Sequence, residues 1–253
     1  MIIQKLLTLL FPIKCVACER ETEKAKRNKL ICSGCLKVFS PSTSFYCPLC
    51  EAKSVDGGIC FSCKPTANSD SRLRTGIFDE KDKFHLDRLF SPFSYKDPAI
   101  RKTVKAFKYD FIQGLAGPLG KLMAGYLEKI NKEIDFKDFI IAPVPLHKIK
   151  FNRRGYNQSR LVAIEVSKHL DIEIGPDLIL KMRPTKDQAS LKEEKRAENI
   201  KGAFVCPKPE KVSGKKIMLL DDVYTTGATM NECARVLKQA GAEEVSGLAI
   251  ARG

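Results

Sequence analysis

No apolar run in this 253-residue chain is long enough to span a bilayer. The nearest approach, MIIQKLLTLLFP, is broken by Lys5 and stopped by Pro12. No small-residue cleavage site comes after it, since Lys14 stands beside the first cysteine. A transmembrane segment, a signal peptide and a lipid anchor at Cys15 are therefore not expected, and the stretch reads as a short helix capping the next domain, with membrane contact as the lesser alternative. Tryptophan is absent, as are low-complexity tracts. Acids are in the minority, 30 against 44 Lys and Arg, for a formal charge of +14. That balance suits a polyanionic partner or a phosphorylated ligand. The apolar fraction of 43% is ordinary, so a packed core is expected.

What the chain has in excess is cysteine, and it is unevenly placed. Eight of ten cysteines fall in the first 63 residues as C-x-x-C pairs: Cys15/Cys18, Cys32/Cys35, Cys47/Cys50 and Cys60/Cys63. A C-x-x-C turn aims two sulfurs at one centre, and two turns complete a tetrahedral thiolate set for zinc. Two structural zinc sites are predicted, in a reducing, cytoplasmic setting rather than a disulfide scaffold. Consecutive pairing is the simplest, although spacing alone leaves an interleaved cross-brace open. With all four positions filled by thiolate, no position remains for a reacting water, so zinc catalysis is not expected. Eight thiolates and two zinc ions lower the formal charge by four, to +10, and the protein stays basic. Lys24, Lys26, Arg27 and Lys29 between the first two knuckles read as a solvated loop, with nucleic-acid contact as the alternative. Cys206 and Cys233 are expected as buried thiols.

Residues 1–66 thus form a tandem zinc-ribbon head, and polar, patternless residues 67–84 a linker. From residue 85 the texture changes to alternating strands and helices. LDRLFSPFSY reads as a strand. Asp97-Pro98 opens a helix carrying Ile100, Val104, Phe107 and Phe111 at helical spacing. A second helix runs from Pro118 to about Asn131. DFIIAPVP has the continuous apolar character of a strand buried on both faces. A basic loop comes next, then a helix over 157–170, a short strand LILKM, a charged connection over 183–201, AFV, the strand KIMLLDD, a helix over 227–241 and a final strand VSGLAIA. This order predicts a doubly wound, mainly parallel α/β domain over residues 85–253.

One segment concentrates the chemistry. KIMLLDDVYTTGAT delivers Asp221 and Asp222 to the carboxyl end of a buried strand, where ligands bind in open α/β sheets. The next turn runs into a helix, whose free N–H groups and dipole attract phosphate. Thr hydroxyls add donors, and Gly227 lets the backbone close around oxygens. Carboxylates beside a phosphate cradle suit a sugar phosphate. Simple helix capping explains the threonines but not two adjacent acids.

LLDDVYTTGAT resembles the phosphoribosyl pyrophosphate (PRPP) motif of type I phosphoribosyltransferases. By that resemblance Asp221 and Asp222 contact the ribose 2′- and 3′-hydroxyls, while Thr225, Thr226, Gly227, Ala228 and Thr229 hold the 5′-phosphate. The wider chain narrows this. PVPLHKIKFNRRGYNQS, the charged segment with Thr185, Gln188, Leu191, Arg196 and Asn199, the GAF at 202–204 and the tandem knuckles are similar to the ComF family, amidophosphoribosyltransferase-like proteins linked to DNA uptake in natural competence. The resemblance implies PRPP with Mg²⁺ as ligand, single-stranded DNA as a further partner, and DNA-uptake machinery proteins as neighbours.

The resemblance also sets the other walls. The Pro143–Leu146 turn would face pyrophosphate. Arg153 and Arg154, in a loop without acids, would bind its oxygens, since Arg pairs with phosphate bidentately. Tyr156 would offer a stacking face for bases. A mobile connection over 183–201 would close over the reaction, with Lys186 and Asp187 as its catalytic candidates, Arg183 reaching pyrophosphate, and Arg196 and Asn199 bracing its base. His147 reads as a polar loop residue. Purine-salvage relatives carry a carboxylate where Thr225 stands, which argues against a hypoxanthine or guanine acceptor. No N-terminal cysteine is left for glutamine hydrolysis. Two alternatives stay open: an active transferase with an unidentified acceptor, and a DNA- or protein-binding adaptor with a vestigial site.

Overall fold

The computed structural model describes residues 14–22, 30–50, 52–63, 84–131, 134–186 and 193–253. The N-terminal helix, the basic residues of the first inter-knuckle loop, most of the linker, and Asp187, Gln188 and Leu191 lie outside the described residues. In chain order the elements are α1 (Ser33–Val38), β1 (Phe45–Tyr46), β2 (Lys53–Ser54), β3 (Arg88–Phe90), β4 (Phe93–Ser94), α2 (Pro98–Tyr109), α3 (Ala116–Ile130), β5 (Phe139–Pro143), α4 (Lys148–Arg154), α5 (Gln158–Leu170), β6 (Leu180–Lys181), α6 (Glu193–Ile200), β7 (Phe204–Val205), β8 (Lys216–Tyr224), α7 (Ala228–Gln239) and β9 (Glu244–Arg252).

A parallel sheet organises the molecule. Its order is β3-β9-β8-β5, with β4 also on β9, so β3 and β4 form one edge interrupted at Ser91-Pro92. β8 and β9 are the long central strands, and both read as continuous apolar runs because helices cover both faces. Alternation along β8 divides the core. Met218 and Leu220 pack with α2, α3 and α5 through Phe107, Met123 and Val162. Ile217 and Leu219 pack with α7 through Cys233, Ala234 and Leu237. The doubly wound α/β architecture is thus the one found.

Two local expectations change. The basic loop after β5 contains a two-turn helix, α4, which His147 caps through Nδ1 (3.3 Å from the Ile149 N–H) and Gly155 ends at φ 77. His147 is therefore a buried cap. Cys233 is buried, but Cys206 is only half-buried.

The cysteine-rich segment is not held apart from the sheet. Ile31, Phe39 and Phe45 belong to the same apolar cluster as Phe90, Phe93 and Val104. The Phe39 and Phe93 rings lie 6.1 Å apart, and those of Phe45 and Phe90 6.0 Å. No helix among the described residues is long and apolar enough to cross a membrane.

Candidate functional site

The eight knuckle cysteines form two closed sets. Cys15, Cys18, Cys32 and Cys35 bring their sulfurs within 4.8 Å of one another, and so do Cys47, Cys50, Cys60 and Cys63. Pairing is therefore consecutive. Backbone N–H groups point at the sulfurs, as from Cys32 to Cys15 (3.3 Å) and from Leu49 to Cys47 (3.4 Å). Four thiolates per centre fit a tetrahedral, closed, structural zinc ion. The second set abuts the sheet. The Tyr224 hydroxyl at the end of β8 donates to the Pro48 carbonyl, and the Arg252 guanidinium lies 3.8 Å from the Tyr46 ring centroid.

Asp221 and Asp222 sit near the end of β8, just past the point where pairing with β5 stops at Pro143↔Leu220. Pairing with β9 continues beside them, so the strand extends through the acids to Tyr224. The end of β5 opens one flank, and α5 fills it. Asn157 caps α5 and bonds the Val144 carbonyl, so the first turn of α5 faces the acids. Gln158 donates to Asp222 Oδ2 (2.6 Å) and Ser159 to Asp221 Oδ1 (2.9 Å). From α2, Lys108 Nζ reaches Asp222 Oδ1 at 2.8 Å.

The two acids differ in consequence. Asp222 is 4% exposed with both oxygens engaged. Asp221 is half-buried, and burial together with the Asp222 charge pushes its carboxyl up to about 7. Burial works against the charge on Lys108, but attraction and hydrogen bonding to Asp222 outweigh it and hold the ammonium above its ordinary range.

Beyond the acids, Thr225, Thr226 and Gly227 form the turn into α7, which begins with Ala228 and Thr229. Gly227 has φ 74 and, as the N-cap of α7, makes no side-chain cap. A Cβ at Gly227 would fall 2.2 Å from the Tyr224 hydroxyl, so glycine is required by conformation and by close approach. A helix N-terminus capped only by glycine, beside an acid pair, can hold a phosphate on one side and sugar hydroxyls on the other.

The basic wall is only partly as expected. Arg154 donates to Gln158 Oε1 (2.6 Å) and lies over the Tyr109 ring at 5.7 Å, so it joins the acids through Gln158. Arg153 is exposed. Tyr156 is 4% exposed, packed on Phe107 with its hydroxyl on the Phe107 carbonyl, and offers no stacking face. The exposed rings nearby are instead Tyr109, Phe111 and Phe151. Phe111 has φ 58, a strained backbone for a bulky residue.

β6 and β7 form an antiparallel ribbon that carries the 182–203 connection. The Asn199 side chain grips the backbone N–H and carbonyl of Lys186, both at 3.1 Å, leaving the Lys186 side chain exposed. Arg183 is committed to the carbonyls of Asn199 and Lys201 rather than to the cleft. Lys181 bonds Thr185 (2.8 Å) and lies 5.2 Å from the Phe204 ring centroid. Burial and the Lys150 charge push its ammonium down to about 8.

Sequence reasoning missed Lys108, Gln158, Ser159 and Lys181. For Lys108 a signal existed: it lies four residues after Val104, on the apolar stripe of α2.

Fold and site together define a phosphoribosyltransferase-type α/β unit joined to a pair of zinc ribbons. The description "Phosphoribosyl transferase domain" matches residues 156–252, and "Double zinc ribbon domain" matches residues 6–67. The chain is similar to Competence protein F of Haemophilus influenzae, 28% identical over 96% of this chain and 98% of that one. It is also similar to Competence protein ComFC of Bacillus subtilis, 28% identical over 90% and 86%. With the DNA utilization protein YhgH of Escherichia coli O157:H7 it shares 30% identity over 79% and 93%. The chain belongs to the ComF family.

Proposed function

We propose that this protein binds PRPP in the cleft between β8 and α5, and that it serves DNA uptake by handling single-stranded DNA in the cytoplasm. One observation carries the ligand assignment: an acid pair, Asp222 buried and Asp221 half-buried, stands next to a helix N-terminus capped only by glycine, at the carboxyl end of a central parallel strand. In this reading the turn Thr225–Thr229 holds the 5′-phosphate and the acid pair serves the ribose hydroxyls. Pyrophosphate, carrying Mg²⁺, faces the Pro143–Leu146 turn with Arg153 and Arg154 beside it. Residues 1–66 and 85–253 are the two structural units, with 67–84 linking them.

The names of the relatives, competence and DNA utilization, support the biological role. Exposed Tyr109, Phe111 and Phe151 near Lys105, Arg153 and Arg154 support the nucleic-acid role, since aromatic faces stack bases while cations track phosphates. DNA-uptake proteins are the partners in this reading. If the site turns PRPP over, an acceptor displaces pyrophosphate at C1 of ribose with inversion, and Lys186 and Asp187 serve the step.

Calorimetry with PRPP and Mg²⁺ decides the ligand. Wild type is expected to bind, and the Asp221→Asn/Asp222→Asn double variant to lose binding while keeping its zinc. Equal binding by both, or none by wild type, overturns the assignment. Pyrophosphate release in the presence of candidate acceptors separates a transferase from a binding protein. Oligonucleotide affinity that falls steeply with salt is expected of phosphate contacts.

A further inference from the structure

The acid pair carries a cation of its own. Adjacent carboxylates repel, and burial sharpens that repulsion. The counter-charge comes from more than a hundred residues upstream: Lys108 on α2 places Nζ 2.8 Å from Asp222 Oδ1, with only 19% of its side chain exposed. Gln158 closes on the other oxygen at 2.6 Å. Asp222 therefore has no oxygen left over and almost no exposure. Asp221 differs. Its Oδ1 accepts from Ser159 and from the Asp222 N–H, both at 2.9 Å, while Oδ2 accepts no hydrogen bond among the described residues.

We propose that Lys108 is the resident counterion of the acid pair and divides its labour: it fixes Asp222 as a scaffold and leaves Asp221, through Oδ2, as the acceptor for ribose hydroxyls. The inference rests on the PRPP reading above. It makes Lys108 a positioning residue, acting on the sugar through the acids. The acids are served by an ammonium built into α2.

The charged and titratable groups around Asp221 come from every neighbouring element: Asp222 on β8, Lys108 on α2, Lys181 on β6 and Cys233 on α7, with Lys150 of α4 acting on Lys181. Lys181 is bonded to Thr185 and carries a weakened charge of its own, so it does not replace Lys108. Lys108 opposes the burial and the Asp222 charge that raise the Asp221 carboxyl; without it that carboxyl holds its proton to higher pH, and protonation removes an acceptor.

The test is PRPP calorimetry from pH 6 to 9 on the full-length, zinc-loaded protein. Lys108→Gln keeps a donor to Asp222 but removes the charge. Its affinity is expected to fall tenfold or more at pH 7 and to recover towards wild type by pH 9. Lys108→Arg is expected to keep the wild-type profile. Failure of wild type to bind PRPP removes the parent reading, and this inference with it. Binding by wild type with an unchanged Lys108→Gln profile, or a loss equal at every pH, overturns this inference alone. If Lys108→Gln does not fold, ¹⁵N NMR of the wild-type lysine ammonium groups decides. A Lys108 signal still hydrogen-bonded under saturating PRPP supports a resident counterion, and its displacement by ligand refutes it.

Discussion

The hydroxyl of Tyr224, the last residue of β8, donates to the carbonyl of Pro48 inside the third C-x-x-C turn at 2.8 Å, and both groups are buried. The same ring underlies Gly227, where the backbone turns towards α7. One side chain thus touches a zinc knuckle and the candidate phosphate turn at once. Tyr224→Phe keeps the ring but leaves the Pro48 carbonyl without its donor, at a cost of about 1–3 kcal/mol. Urea unfolding is expected to show a lower midpoint with zinc content unchanged. An unaltered midpoint would show the bond to be dispensable.

Gly227→Ala forces a non-glycine residue to φ 74 and drives its methyl into the Tyr224 ring. The conformational part alone costs about 1–2 kcal/mol. Thermal melts should drop accordingly, and PRPP should no longer raise the melting temperature. Adding Tyr224→Phe removes the nearest clashing atom and should recover part of the loss.

Asp221 makes stability depend on pH in an unusual direction. Its folded pKa lies above the ordinary 3.8, at about 7, so the folded chain holds this proton more tightly than the unfolded chain does. The contribution is fully present below the ordinary value and is lost as pH rises from about 4 to about 7, with a slope of at most about 1.4 kcal/mol per pH unit. Asp221→Asn should flatten that slope and be the more stable protein at pH 8, while losing PRPP. Parallel stability curves for the two proteins across this window would refute the assignment.

Zinc stoichiometry checks the consecutive pairing. Native mass spectrometry is expected to find two zinc ions per wild-type chain and one in Cys18→Ser/Cys32→Ser, which damages one set only. Cys18→Ser/Cys50→Ser should hold none tightly, since it damages both. An interleaved pairing of the first turn with the third, and the second with the fourth, predicts the reverse: no intact set in Cys18→Ser/Cys32→Ser and one zinc ion in Cys18→Ser/Cys50→Ser.

Much of this architecture is legible in the sequence because the signals are local. C-x-x-C spacing, unbroken apolar strands and a strand-end Asp-Asp followed by Thr-Gly each fit within a dozen residues. Consecutive pairing of the knuckles is also the simplest reading of their spacing. What escapes is non-local. Lys108 and Gln158 meet Asp222 only through the docking of α2 and α5 on the sheet, and no spacing rule links them. The helix α4 hides because KIKFNRR advertises charge, while its order comes from a histidine cap and a left-handed glycine. Tyr156 looks available in the sequence, but Phe107 claims its hydroxyl and its ring.

The shared aromatic seam has a consequence for how this architecture is built and inherited. Phe39 and Phe45 of the cysteine-rich segment seat against Phe93 and Phe90 of the sheet edge, so each half supplies part of the other's interior. Cutting the chain at residue 85 would strip the cover from two phenylalanines and create an adhesive surface. The ribbons are less a detachable tool than a lid moulded onto the sheet, and recombination that swaps them must carry a matching seam.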